Sequence, residues 1–179
     1  IEICYFYSYI ASISYRVYLK FMSIQINYKK SLLNSKLSNL ILFTDESYNV
    51  SSLKKHILAS EYSYISDLIK VKDLKNKILS FDLNSKRKVV LISIKKNISN
   101  SDVENLGGNF YDLIKGSKQN KYNLNSDSIP LKQKNLIVHF LHGVKLKSYS
   151  FDKYKSKKNK INVSIIVTGK NIPSQKDKI

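Results

Sequence analysis

The sequence predicts an α/β domain, a sheet layered by helices, and three observations carry that expectation. From residue 22 onward, short apolar runs with strand-like alternation interleave with segments of helical spacing. The run Val89-Val90-Leu91-Ile92 is continuously apolar, as an interior strand covered on both faces requires. With 179 residues, 42% of them hydrophobic, the chain can bury a real core and is too apolar to remain a disordered polyelectrolyte.

Taken in order, strand-like runs are expected at Ser23–Tyr28, Asn39–Thr44, Lys77–Leu83, Lys88–Ile94 and Asn162–Thr168, with a shorter one at Lys121–Asn125. Ser51 and Ser52 offer caps for a helix carrying Leu53, Ile57 and Leu58, and Ile65, Leu68 and Ile69 continue a helix after Ser60. Ser101 and Glu104 have the spacing of a capping box ahead of Leu106, Phe110, Leu113 and Ile114. Pro130 is placed to open a last helix, on which Leu136, Ile137, Phe140, Leu141 and Val144 share one face.

Residues 1–21 read differently from the rest. They hold five of the thirteen Tyr and the single Cys, Cys4. Their longest uncharged stretch, Ile3 to Tyr15, is thirteen residues, short of the roughly 18–20 that a spanning helix needs. The segment also begins Ile1-Glu2 rather than with Met and a positive region, so it does not fit a signal peptide. The expectation is that translation starts at Met22, with residues 1–21 an upstream or disordered extension, or else an interfacial anchor. The domain is then residues 22–170.

A lone Cys excludes an internal disulfide framework and a thiolate zinc cluster, both of which need sulfurs in pairs. The formal net charge of +18 invites a nucleic-acid reading. Yet Arg occurs only at Arg16 and Arg87 against 29 Lys, and bidentate gripping of phosphates and bases favours the guanidinium fork. Seventeen Asn and two Ala fit an AT-rich coding sequence. The charge therefore reads first as a solvated Lys coat, and second as a surface for DNA.

Candidate chemistry is sparse. His139 and His142 stand at i,i+3, a spacing that can bring two imidazoles to one metal. Both point away from the apolar face, however, and no carboxylate lies in the ten preceding residues, so two solvated histidines are expected. His56 has no partner visible in sequence. Asp102 and Glu104 resemble a D-x-E cation pair but lie where a helix dipole favours negative charge, and helix capping is the expected role. Asp45-Glu46 reads as a turn. Gly107-Gly108 fall inside a helical pattern rather than before it, as a phosphate cradle requires, and close packing of helix on sheet is expected there. No H-E-x-x-H, G-x-S-x-G or Walker pattern occurs, so no catalytic or metal residue is assigned.

The stretch Phe140–Lys158, FLHGVKLKSYSFDKYKSKK, is more specific. It resembles the end of the N-terminal domain in the M17 leucyl aminopeptidase family, where a helix with a Gly and a Leu runs into S-Y-x-F-D-x-Y-K. Here the signature is Gly143, Leu146, Ser148, Tyr149, Phe151, Asp152, Tyr154 and Lys155. Its three aromatic rings are expected to supply buried apolar area just past the helix end. Where the family commonly places glycines after the central strand, this chain reads Ser93-Ile94-Lys95-Lys96.

The resemblance implies a macrodomain-like mixed sheet with helices on both faces, in a cytoplasmic hexameric hydrolase. It implies release of N-terminal amino acids by two divalent metals, zinc or manganese, held in a C-terminal catalytic domain. Nothing after Lys158 matches that domain's N-T-D-A-E-G-R-type motif. Residues 171–179 are expected to start the linker to it. The implied role is thus non-catalytic, with the catalytic domain and sister subunits as partners, no cofactor in this chain and no membrane. A nucleic-acid module and a macrodomain-like nucleotide binder are the alternatives.

Overall fold

The computed structural model describes residues 24–30, 39–71, 73–117, 119–129, 135–149, 163–174 and 177–178. Met22, Pro130 and residues 1–21 lie outside these. Six strands form one mixed sheet: β1 (Ile24–Lys29), β2 (Asn39–Asp45), β3 (Ile78–Asn84), β4 (Arg87–Ile94), β5 (Lys121–Asn125) and β6 (Val163–Thr168). Their order is β1-β6-β5-β2-β4-β3, and every neighbouring pair is parallel except β3 with β4. Each strand lies within a residue or so of its expected run.

Alternation along the central strands assigns side chains to two cores. Leu40 and Leu42 of β2, with Val89 and Leu91 of β4, face one side of the sheet. There they meet Leu53 of the 3-10 turn Ser51–Lys55 and Ile65 of α1 (Ala59–Val71). Ile41, Phe43, Val90 and Ile92 face the other side, under α2 (Asn100–Ile114) and α3 (Leu136–Ser148). The fold is therefore a mixed sheet with helices on both faces.

Three local expectations change. Ser51 and Ser52 start a 3-10 turn rather than a helix, and Ser51 gives its backbone N–H to the Asn49 Oδ1. The regular helix waits until Ala59, where Glu61 reaches back to accept from the Leu58 N–H at 3.1 Å. The cap of α2 is Ser99, two residues before the expected one. Its hydroxyl accepts from the Asp102 N–H at 3.1 Å and donates to the Asp102 carboxylate at 2.8 Å. Asp102 thus serves the helix start, while Glu104 does not.

The third change concerns the glycines. Gly107 packs on α3, not on the sheet. A Cβ there would stand 2.0 Å from the Phe140 carbonyl oxygen, and one at Gly143 would stand 1.9 Å from that of Glu104. Each helix thus presses backbone against backbone at the other's glycine. Gly108 has room, its Cβ meeting only Lys147 methylenes at 3.8 Å and beyond. Gly143→Ala is expected to cost about 2–3 kcal/mol by forcing the helices apart. Gly108→Ala should instead stabilise by up to about 1 kcal/mol through helix propensity. Urea unfolding of the two variants checks this, and equal midpoints would contradict the close approach.

Candidate functional site

The carboxyl ends of β2 and β5 adjoin at the centre of the sheet, and the chain leaves them in opposite directions. After β2 it passes to α1 on one face, and after β5 to α3 on the other. Such a reversal opens a crevice where open α/β sheets bind ligands. A pocket of about 320 Å³ lies here, lined by Asp45, Asn49, Ser52, Lys55, Asp127, Ser128 and Ile129.

Short polar side chains build its walls. Asp45 Oδ1 accepts from the backbone N–H of Ser47 at 3.1 Å and of Asn49 at 3.0 Å, folding the chain into the expected turn. Tyr48 follows in a left-handed conformation, φ 54°, and its hydroxyl donates to the Asn76 carbonyl. Burial pushes that phenol up to about 12, against an opposing hydrogen bond with Ser93. Across the crevice, the Asn125 Oδ1 accepts from the Asp127 N–H at 2.9 Å, and Ser128 Oγ accepts from Phe43 N–H at 2.9 Å. Asp127 Oδ1 accepts from the Lys170 N–H at 2.8 Å, tying in the loop after β6.

His56 does have a partner, 69 residues away. The Asn125 Nδ2 lies 2.9 Å from its Nδ1. Since an amide nitrogen only donates, His56 Nδ1 accepts and the ring hydrogen sits on Nε2. Burial lowers the His56 pKa, Lys55 adds to that, and Asp127 opposes both. The ring is therefore neutral at pH 7 and holds the Asn125 side chain at the end of β5.

The other two histidines are not merely solvated. His139 Nδ1 and His142 Nδ1 lie 2.9 Å and 3.1 Å from one oxygen of Glu104, which α2 brings across from 35 residues away. An ionised carboxylate only accepts, so both Nδ1 atoms carry hydrogen. These bonds from His139 and His142 hold the Glu104 carboxyl below its ordinary value. A depressed acid adds stability above its unfolded pKa and loses it as pH falls through the folded value. Stability should thus decline below about pH 4.5 in the wild type. Glu104→Gln should flatten that decline, and acid titration of both by circular dichroism would show it. An identical acid limb in the variant would refute the link. Among the described residues, no three His, Cys, Asp or Glu form a group that could hold a metal.

Half of the expected signature is described. Gly143 makes the helix crossing, and the buried Ser148 hydroxyl donates to the Lys145 carbonyl at 2.8 Å. Tyr149 ends α3 and is 52% exposed, so its ring does not supply the buried area expected of it, and Leu146 is 59% exposed. Phe151, Asp152, Tyr154 and Lys155 lie outside the described residues.

No family model and no curated protein matches the sequence. Solved structures do. The likeness is one of fold. A mutant leucine aminopeptidase from tomato superposes with a TM-score of 0.61 at 15% identity, over 85% of this chain and 34% of that one. The macrodomain of Thermus aquaticus DarG superposes with a TM-score of 0.54 at 11% identity, over 82% of this chain and 99% of that one. The chain is therefore macrodomain-like in architecture and spans about a third of the aminopeptidase's length. No helix among the described residues is long and apolar enough to cross a membrane.

Proposed function

We propose that this chain is the non-catalytic N-terminal domain of a leucyl aminopeptidase, contributing architecture and subunit contacts. The observation that supports it is the superposition of 85% of the chain on about a third of an aminopeptidase, together with the signature that closes α3. The described residues offer no donor set for the two divalent metals such enzymes use, so no step of hydrolysis is assigned to them. Peptide cleavage would belong to another domain of the parent.

The experiment is to capture the natural protein with an antibody raised to this chain, then sequence it by mass spectrometry and assay it on leucyl anilide. Peptides contiguous with this chain and rich in carboxylate metal motifs are expected, with activity in the captured protein and none in the chain alone under zinc or manganese. Hydrolysis by the chain alone, or a natural protein no longer than it, would overturn the reading.

The pocket at the sheet reversal favours a second reading, a macrodomain-like nucleotide binder. Its chemistry weighs against that: Asp45 and Asp127 put two carboxylates in its lining, which repel phosphates, and the loop after β4 reads Lys95-Lys96-Asn97 without glycine. Calorimetric titration with ADP-ribose decides it, since measurable heat that Asp127→Ala alters would promote this reading over the first.

A further inference from the structure

The solvent side of α1 carries an apolar stripe. Ile65 is fully buried against the sheet, whereas Tyr64 and Val71, seven residues apart and so on one side of the helix, are 47% and 83% exposed, with the half-buried Leu68 between them. Four of the seven exposed large apolar side chains among the described residues belong to this helix and its flanks, the other two being Leu58 and Leu74. Such residues scattered singly are ordinary, but a stripe of them marks a contact surface. We infer that α1 is where two copies of this chain meet, packed antiparallel about a twofold axis.

Charge selects the occupant. The chain carries +18, so two copies repel over most of their surfaces. On α1 that repulsion is relieved, because Glu61 and Asp67 stand there against the single base Lys70. An acidic partner would settle on the Lys coat instead. The pattern is also self-complementary. An antiparallel pair that sets Tyr64 against the partner's Val71 fits a large side chain to a small one at both ends of the contact. The same register brings Asp67 within one helical turn of the partner's Lys70. Within one copy these two pair at 3.1 Å yet remain 69% and 74% exposed, which leaves each room for a second opposite charge. α2 is acidic too but does not offer this surface. Its Asp102, Glu104 and Asp112 hold Ser99, the two histidines, and Lys115 with Lys147, and Leu113 is its one exposed large apolar side chain.

Such pairing names a surface for the subunit contacts proposed above and rests on that reading for its setting. The chain alone tests the pairing, whereas the captured parent tests the reading, so the two can fail separately.

The test is sedimentation equilibrium of the full chain over a range of concentrations. One helix face is a small interface, so a dimer dissociating at about 10–100 μM is expected. Added salt is expected to tighten it by screening the repulsion between copies. Tyr64→Ser/Val71→Ser is expected to weaken it at least tenfold, and Leu113→Ser/Leu146→Ser, an equal loss of exposed apolar surface on the other face, to leave it within twofold. Asp67→Lys is expected to weaken it severalfold, and Asp67→Lys/Lys70→Asp to restore it. Equal losses in the two Ser variants, loss of the dimer on adding salt, or growth past the dimer would each overturn the inference. A wild type that stays monomeric at about 0.5 mM would also overturn it. Urea unfolding then tells what covers the stripe. A lower midpoint for Tyr64→Ser/Val71→Ser would assign it to another segment of the same chain, and an unchanged midpoint to a different protein. Circular dichroism spectra confirm that each variant is folded.

Discussion

Phe140→Ala is expected to lower unfolding free energy by about 3–5 kcal/mol, among the largest losses available to a single substitution here. Phe140 is fully buried under the sheet. Its ring meets Phe43 edge-on at 5.4 Å between centroids and Phe110 at 5.6 Å, and Phe110 in turn meets Tyr122 edge-on at 5.7 Å. Four aromatics from β2, α2, α3 and β5 thus share one contact chain. Removing the middle ring deletes apolar area and leaves a hole that two rigid helices and a sheet cannot fill. Phe140→Leu should recover more than half of the loss, because it restores volume without the ring geometry. Urea unfolding followed by circular dichroism measures both. A cost below about 1 kcal/mol for the Ala variant would show that this cluster is not the anchor of the helical layer.

Glu61→Ala should be comparably damaging, at about 3–5 kcal/mol, for an electrostatic reason. Arg87 opens β4 with a side chain only 5% exposed, and Glu61 of α1 meets it at 13% exposure. The guanidinium engages both carboxylate oxygens, Nε to Oε1 at 3.1 Å and Nη2 to Oε2 at 3.1 Å. Taking Glu61 away removes the carboxylate that balances a buried cation, whereas replacing both residues by Met removes the charge together with its need. Glu61→Met/Arg87→Met is therefore expected to unfold at higher urea than Glu61→Ala. A single variant as stable as the wild type would contradict the cost assigned to breaking this pair.

These two sites show what was legible in advance. The strands were, because period-two alternation and the apolar run Val89–Ile92 are written locally. The apolar face of α3 was too, with Leu136, Ile137, Phe140, Leu141 and Val144 all buried. Helix starts were less so, since Ser99 and Ser101 both stand at the start of α2, and which one caps depends on where the loop from β4 arrives. The Gly107–Gly143 crossing and the Glu104–histidine contacts join residues 35 to 38 apart on different helices, so no local window contains them. The pocket at the sheet reversal was hidden for the same reason. Its walls come from loops whose nearness follows from strand order, and periodicity does not encode strand order.

Of the six strands, the outermost parallel one comes first in chain order and is among the last to find its partner. Among the described residues β1 pairs only with β6, Ile24 aligned with Val163, so that pairing waits until most of the domain has been synthesised. β5 likewise keeps one edge open until the same late strand inserts between them. Assembly therefore ends like a closing zipper. A ribosome stalled before residue 163 would hold a nascent chain with two adhesive rims, the state most in need of a chaperone.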